Sequence, residues 1–177
     1  QAKGSSRDQR GANGDALYSN TTLALDPDTG TLKWYFQNAP GETLDLDEVF
    51  ERVLIDHGQQ KTVMTVGKSG LMWKLDRVTG KFLDVKETVF QNVFEKIDPE
   101  RGIPTYRADI VNQKIDEWLT VCPSTEGGHN WQAMSYYQPA GLLIAPLSQS
   151  CMDFTARNVS LTEGGGGSGA DRLFKHT

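Results

Sequence analysis

The sequence predicts an all-β protein built from repeated hairpins, and two stretches carry that prediction. LALDPDTGTLKW begins at Leu23, WKLDRVTGKFLD begins at Trp73, and both contain Leu-Asp-x-x-Thr-Gly. The two aspartates, Asp26 and Asp76, stand 50 residues apart. In each copy a short apolar strand enters a turn whose glycine suits a positive φ, and a second strand leaves it. Repeats of about 40 to 50 residues with this content are typical of a β-propeller.

Further short β-rich runs lie between and after these turns. RVLID, TVMTVG and LMWKLD follow one another from Arg52 to Asp76, separated by turns that contain glycine. They predict three or four strands in each repeat. A weaker copy of the hairpin is YYQPAGLLIAPL, where Gly141 follows Gln-Pro-Ala. We therefore predict that residues 1–163 form a partial propeller.

Two segments depart from the repeat. Residues 86–121 contain two turns with proline and predict an insertion with one short helix near 109–119, either a surface loop or a wall of the functional site. Residues 164–177 open with five glycines in six positions. That composition predicts a Gly-rich loop or a flexible terminus.

The composition excludes several classes of protein. The 177 residues are 37% hydrophobic, enough for a sizeable core, and carry a formal net charge of −5. There is no basic stripe, so nucleic acid is not an expected partner, and no apolar run approaches the roughly 20 residues of a membrane span. Two cysteines, Cys122 and Cys151, fit either a disulfide or two separate buried thiols by count alone.

Four motifs in order resemble one family. Ala24, Asp26, Gly30 and Trp34 fit Ala-x-Asp-x-x-x-Gly-x-x-x-Trp, which resembles the tryptophan-docking motif of the quinoprotein alcohol dehydrogenases. VGKSGLMWKLDRVTGK, CPSTEGGHNW and LSQSCMDF resemble later segments of the same family. The resemblance implies an eight-bladed propeller that uses pyrroloquinoline quinone (PQQ), of which this chain holds about three to four blades. Trp34 is then a structural residue that joins neighbouring blades.

The resemblance gives a role to the stretch GETLDLDEVF, which carries two carboxylates. It implies that Asp45 is the general base that removes the alcohol's hydroxyl proton, and that Asp45 also lies at the metal ion. Calcium-dependent relatives have a small uncharged residue at the position of Asp47, and lanthanide-dependent relatives have a second Asp there. Asp47 therefore favours a lanthanide, with calcium as the alternative. In an extended stretch Asp45 and Asp47 would project to the same side.

Three further residues are implied to contact the cofactor. Lys68 lies where the family has a Lys or Arg at the quinone oxygens; otherwise it is a surface lysine of a hairpin turn. Asn130 and Trp131 match an Asn-Trp pair that borders the quinone, and the alternative for Trp131 is an aromatic residue of a blade core. For His129 we predict a neutral supporting or surface role rather than catalysis.

The resemblance also implies a disulfide, a compartment and partners. Cys122 and Cys151 occupy positions that are disulfide-linked in methanol dehydrogenases, which implies a periplasmic or secreted protein. A small primary alcohol is the implied substrate and a c-type cytochrome the implied electron acceptor. The remaining blades of a longer chain complete the propeller, and a homo-oligomer is a further possibility because open blade edges invite association.

Two functions follow from these observations. In the first, the chain is an internal part of a PQQ-dependent alcohol dehydrogenase and is inactive by itself, since only part of the cofactor site has counterparts here. In the second, it is a noncatalytic quinoprotein-like propeller that acts as a scaffold or binding module. Such a protein would keep Trp34 but not Asp45, Lys68 and Asn130 together.

Overall fold

Thirteen strands and one α-helix make up the part of the chain that the computed structural model describes, residues 14–158, 163–164 and 169–176. They form one four-stranded, one three-stranded and three two-stranded sheets, all with antiparallel pairing between strands. This confirms the predicted all-β class. The elements in chain order are β1 (Thr21–Leu25), β2 (Leu32–Gln37), β3 (Val53–His57), β4 (Gln60–Val66), β5 (Leu71–Asp76), β6 (Phe82–Glu87), β7 (Phe94–Ile97), β8 (Pro104–Tyr106), α1 (Ala108–Val111), β9 (Trp118–Val121), β10 (Ser135–Tyr137), β11 (Leu142–Ile144), β12 (Ser150–Ala156) and β13 (Ala170–His176).

The four-stranded sheet has the shape of one complete blade. Its strands run in the order β3-β4-β5-β6, so each pairs with the next in sequence through a short turn. Side chains alternate along β5, where Leu71, Trp73 and Leu75 are buried and the residues between them are partly exposed. That alternation is the two-residue period of a strand with one buried face. The main core lies on this face and includes Val63, Phe82, Val93, Phe94, Val121, Met152 and Phe154.

One turn occurs three times, and the third copy lies where the sequence predicted an insertion. In the copies at Asp26 and Asp76, the side-chain oxygen Oδ1 accepts hydrogen bonds from the backbone N–H groups two and three residues later. Asp98 does the same, and the N–H of Gly102 donates to its carbonyl oxygen at 2.8 Å. Each of these aspartates has a pKa lowered by the hydrogen bonds its carboxylate accepts. Residues 94–106 are therefore a hairpin of the repeat type, β7-β8.

Trp34 joins two neighbouring sheets, as predicted. Its indole Nε1–H donates to the carbonyl of Arg77 at 3.1 Å, in the turn between β5 and β6. A Cβ atom at Gly80 would lie 2.6 Å from the indole ring, so the ring packs directly on the backbone of that turn. Phe82 packs in the same way against Gly102 of the β7-β8 turn.

The segment between β8 and β9 contains the helix, but the helix is shorter than predicted. It spans Ala108–Val111 and not 109–119. Trp118 opens strand β9, which pairs with β12. A helix cannot continue there because the β9 backbone groups are used in the sheet.

The C-terminal strand β13 differs from the predicted Gly-rich loop or flexible terminus of 164–177. Ala170–His176 pairs with β12 over seven residues, in the order β13-β12-β9. The prediction rested on the glycines that precede this strand. Ala170–His176 itself pairs with an edge of β12 that would otherwise have unpaired backbone groups. Residues 165–168 and 177 lie outside the described residues.

Cys122 and Cys151 form a disulfide, as the resemblance implied. It joins the segment after β9 to β12, across 29 residues of sequence. The weaker hairpin copy is also present. β10 and β11 pair across a short 3₁₀ turn, and Gly141 follows that turn with φ of 64°. None of the helices in the described part of the chain is long and apolar enough to cross a membrane.

Candidate functional site

The LDLD stretch is not an extended segment, so the condition under which Asp45 and Asp47 would project to the same side does not hold. Asp45 has φ of 73°, in the left-handed region, which interrupts a strand geometry. Burial nevertheless alternates along the stretch. Leu44, Leu46 and Glu48 are buried, and Asp45 and Asp47 are partly exposed. The two leucines anchor the stretch in the core and leave both carboxylates on its more exposed side.

Asn20, the residue before β1, holds this stretch in place by two hydrogen bonds. Its amide Nδ2 donates to the carbonyl of Leu46 at 3.2 Å, and its Oδ1 accepts from the N–H of Glu48 at 3.2 Å. Asn20 is buried, so both bonds are shielded from water. The backbone on either side of Asp47 is therefore held by one amide side chain.

Lys68 connects the LDLD stretch to the end of β4. Its N–H donates to the carbonyl of Asp47 at 3.0 Å, and its Nζ donates to Oδ2 of Asp47 at 2.5 Å and to the carbonyl of Asp45 at 3.3 Å. The side chain is only 13% exposed. The alternative that Lys68 is a surface lysine of a hairpin turn is therefore wrong.

Gly67 allows this close approach. A Cβ atom there would lie 2.6 Å from the Asp47 carbonyl oxygen and 2.6 Å from Oε2 of Glu48. Any other residue would push the LDLD stretch away from the β4 end. The glycine before Lys68 thus has a steric reason to be there.

Glu48, which directly follows Asp47 in the sequence, is a buried acid. Its Oε1 accepts from the Ser69 hydroxyl, and the Arg52 guanidinium donates to its carbonyl oxygen at 2.5 Å. Burial raises the pKa of Glu48 to about 8, because the charged carboxylate loses its hydration and the Ser69 bond only partly offsets that loss. The sequence analysis assigned no role to Glu48.

Arg172 is a site residue that the sequence analysis missed. It lies on β13, and its Nη2 is 3.5 Å from Oδ2 of Asp45. Its side chain is 14% exposed. The sequence offered no signal for this contact, since the strand follows a Gly-rich run and is 127 positions from Asp45.

The Asn130 segment rests on the Lys68 turn. The N–H of Gly128 donates to the Lys68 carbonyl and that of His129 donates to the Gly67 carbonyl, both at 3.0 Å. The amide of Asn130 donates to the Glu126 carbonyl at 3.2 Å, and its buried Oδ1 makes no hydrogen bond within the described part of the chain. The structure therefore brings the predicted residues Asp47, Lys68 and Asn130 onto connected backbone segments.

Trp131 and His129 lie in opposite environments. Trp131 is 89% exposed, so the alternative of a blade-core aromatic is wrong. His129 is fully buried, so it is not a surface residue. Its Nδ1 is 3.0 Å from the Pro146 carbonyl, its Nε2 is 3.7 Å from Oε2 of Glu51, and its ring meets Phe50 edge-on. These contacts of the buried His129 ring fix the backbone next to Asn130.

A cleft of about 330 Å³ opens beside Asn130. Its lining residues are Glu126, Gly128, Asn130, Gln132, Pro146, Leu147 and Ser148. Asn130 thus forms part of the wall of a space that a ligand could enter.

The site is rich in charge but holds an incomplete set of metal ligands. Among the residues that the structure describes, no group of three or more His, Cys, Asp or Glu is placed to hold a metal ion. Asp45 and Asp47 supply two carboxylates, each with a cationic partner. A metal at this point would need further ligands in addition to these two.

Comparison of the sequence with known proteins indicates one family. Residues 3–105, more than half of the chain, match the model of the PQQ-associated "Glucose/ethanol/alcohol dehydrogenase, beta-propeller domain". The quinohemoprotein alcohol dehydrogenase ADH IIB of Pseudomonas putida is 33% identical over 140 residues, which cover 77% of this chain and 20% of that protein. The quinoprotein alcohol dehydrogenase PedH of Pseudomonas putida is 31% identical over 171 residues, covering 92% and 29%. Lupanine 17-hydroxylase [cytochrome c] of a Pseudomonas species is 35% identical over 129 residues, covering 70% and 18%.

Solved structures give the same picture. A europium-containing methanol dehydrogenase superposes with a TM-score of 0.87 at 26% identity, covering 96% of this chain and 30% of that one. The quinohemoprotein alcohol dehydrogenase of Comamonas testosteroni gives a TM-score of 0.75 at 31% identity, covering 81% and 22%. The chain therefore spans less than a third of the length of these relatives. The superposition over nearly the whole chain confirms the predicted propeller fold.

Proposed function

Because the chain belongs to the PQQ-associated glucose/ethanol/alcohol dehydrogenase β-propeller family, we propose that it forms part of the active site of a PQQ-dependent alcohol dehydrogenase. The reaction is the oxidation of a primary alcohol to an aldehyde. One observation carries the proposal. Lys68, with its side chain largely buried, contacts both aspartates of the LDLD stretch and the backbone beneath Asn130. These contacts link four residues that the resemblance implies, Asp45, Asp47, Lys68 and Asn130, and that link supports the proposal.

Each residue has a role that its environment supports. The carboxylate of Asp45 accepts the hydroxyl proton of the alcohol, since it is partly exposed and a substrate can reach it, with Nη2 of Arg172 3.5 Å from its Oδ2. The ammonium group of Lys68 provides positive charge for the reduced, more negative cofactor. When bound, PQQ supplies the two-electron acceptor and a calcium or lanthanide ion supplies Lewis acidity.

The residues present fit an anionic quinone and fit a metal in part. The buried Oδ1 of Asn130 lacks a hydrogen-bond partner among the described residues, and Lys68 and Arg172 supply two cations. The exposed indole of Trp131 is available to border a flat ring. Asp45 and Asp47 would hold the metal ion, and the second carboxylate favours a lanthanide over calcium. The similarity to a europium-containing methanol dehydrogenase supports that preference.

The proposal also covers the substrate, the electron acceptor and the location of the protein. We expect a small primary alcohol as substrate and a c-type cytochrome as electron acceptor, in agreement with the cytochrome c in the name of one relative. The disulfide supports a periplasmic or secreted location. Further blades complete the cofactor site, so the 177-residue chain by itself is expected to be inactive.

Binding of the cofactor tests the proposal directly. Titration of the chain with PQQ, in the presence of calcium or lanthanum, should give a Kd no tighter than tens of micromolar, about −6 kcal/mol. Lys68→Met should abolish this binding. Lys86→Met is the matched control, since Lys86 is an exposed lysine paired with Asp84 on β6. Nanomolar binding would contradict an incomplete site, and no binding at all would favour the noncatalytic propeller.

Activity can be tested in a complete propeller. The matching segment of the Comamonas testosteroni enzyme would be replaced by this chain, and the purified chimera loaded with PQQ and metal. Asp45→Ala should then abolish dye-linked alcohol oxidation while quinone binding and the melting temperature stay close to those of the parent chimera. Retained turnover would exclude Asp45 as the base.

A further inference from the structure

One carboxylate contacts both ends of the Asn130 segment. This segment, residues 128–134, lies outside the helices and strands, and three consecutive side chains at its centre are exposed. Oε1 of Glu51 accepts a hydrogen bond from the backbone N–H of Met134, and Oε2 of the same side chain is 3.7 Å from Nε2 of His129. A single side chain therefore joins the start of the segment to its end.

The Glu51 carboxylate is well suited to this contact. Partial burial acts to raise the pKa of the Glu51 carboxyl, but the hydrogen bond from Met134 and the nearby His129 ring outweigh it, so the pKa is lowered. The side chain is thus ionised at neutral pH, and both oxygens can accept. The backbone of Glu51 is itself fixed, because its carbonyl oxygen accepts from the hydroxyl of the buried Thr65 on β4 at 3.1 Å.

The two ends of the segment are held in different ways. At the start, the N–H groups of Gly128 and His129 donate to backbone carbonyls of the turn after β4, both at 3.0 Å. At the end, the N–H of Met134 donates to a side chain, that of Glu51. Only the second attachment can be removed by substituting a side chain, so the contribution of Glu51 can be tested separately.

We propose that Glu51 is a positioning residue that holds the Asn130 segment in place for a ligand of the adjacent cleft. Asn130 and Gln132 line that cleft, and both lie between the two points that Glu51 contacts. A loop that is already ordered loses less conformational freedom when a ligand binds, so the affinity is higher. This inference rests on the proposed function, in which the ligand is an anionic quinone.

Amide hydrogen exchange of the chain without cofactor gives the first test. In Glu51→Ala, the N–H of Met134 should exchange about tenfold faster or more, because its acceptor is removed. The N–H groups of Gly128 and His129 should also exchange faster, although their own acceptors are unchanged. Amides of β5 should keep the rates of the wild-type chain. Faster exchange at Met134 alone would overturn the proposal, because Glu51 would then not order the segment as a unit.

Two conservative variants separate reach from charge. Glu51→Gln keeps the length of the side chain and an acceptor oxygen for Met134, so it should retain most of the slow exchange. Glu51→Asp keeps the charge but is one methylene group shorter, so it should exchange like Glu51→Ala. The opposite order would overturn the proposal. If Glu51→Ala fails to fold by its thermal melt, this comparison still decides it.

Glu95→Ala is the matched control. Oε1 of Glu95 also accepts a backbone N–H, that of Ala108 at 3.4 Å, but it joins β7 to α1. This variant removes a carboxylate of the same kind outside the Asn130 segment. It should leave both the exchange of residues 128–134 and the binding of PQQ unchanged, and faster exchange there would overturn the specific role of Glu51.

Titration with PQQ gives the second test. Glu51→Ala should weaken PQQ binding about tenfold with a melting temperature close to that of the wild-type chain, and Glu51→Gln should bind nearly as well as wild type. Unchanged affinity in Glu51→Ala, in spite of faster exchange, would overturn the positioning role. Absence of PQQ binding by the wild-type chain, with the exchange results as expected, would count against the proposed function and not against the ordering of the segment by Glu51.

Discussion

Nζ of Lys68 donates a hydrogen bond to Oδ2 of Asp47 at 2.5 Å, although the residues are 21 positions apart in the sequence. The contact joins the end of β4 to the LDLD stretch and places a cation beside the second carboxylate. Asp47 is therefore not a freely solvated turn residue. Its partner is a largely buried lysine, and both belong to the proposed cofactor site.

The role of Asp47 can be tested by comparing two metals. Asp47→Ala should weaken lanthanum binding by the chain at least tenfold more than calcium binding, because a trivalent ion loses a charge-neutralising oxygen that calcium can do without. Asp45→Ala should weaken both. Calorimetry in metal-free buffer measures the four affinities. Asp56→Ala, which removes an exposed partner of Arg77, serves as control. Equal losses for the two metals with Asp47→Ala would restore calcium as the favoured ion.

Glu48 predicts an unusual dependence of stability on pH. Its pKa in the folded chain is about 8, well above the 4.5 of an exposed glutamate, so the folded state holds a proton that the unfolded state has lost between these values. The free energy of unfolding should therefore fall as pH rises from about 4.5 to 8, by at most about 1.4 kcal/mol per pH unit from this group.

Urea titrations of the metal-free chain at several pH values measure this slope. Glu48→Gln, which cannot ionise, should flatten it and stabilise the chain at pH 8. Glu87→Gln changes an exposed glutamate of β6 and should leave the slope as it is. An unchanged slope in Glu48→Gln would show that Glu48 titrates normally.

The contact between Trp34 and Gly80 predicts a specific loss of stability. Gly80→Ala introduces a Cβ at φ of 74°, 2.6 Å from the indole ring, and should lower the free energy of unfolding by about 2–4 kcal/mol from strain and overpacking combined. Gly58→Ala has φ of 60° with no atom within 4 Å of the new Cβ, so only the strain of about 1–2 kcal/mol is expected. Similar losses in both variants would show that Trp34 moves away without cost.

The disulfide predicts both thiol content and stability. Thiol titration of the unfolded, unreduced chain should find no free thiol, because Cys122 and Cys151 are paired. Reduction should lower the free energy of unfolding by about 3 kcal/mol, since the open chain regains loop entropy, and the melting temperature should fall. Two free thiols in protein made in an oxidising compartment would contradict the pairing.

The hairpin turns could be predicted from the sequence because their interactions are local. Asp26 and Asp76 cap backbone groups two and three residues away, and a glycine with positive φ closes each turn within five positions. The third copy at Asp98 was missed because it lacks the Thr-Gly pair and lies only 22 residues after Asp76. The spacing of the first two copies had suggested a longer period.

The sequence by itself determined the β-class, the repeated turns, the docking role of Trp34 and, through motifs, the candidates Asp45, Asp47, Lys68 and Asn130. Only the tertiary structure decided that Lys68 is paired with Asp47, that Glu48 is buried and that Arg172 reaches Asp45. The physical reason is the range of the interactions. Turn capping involves neighbours in the chain, whereas desolvation and ion pairing depend on segments that only the packing of separate sheets brings together.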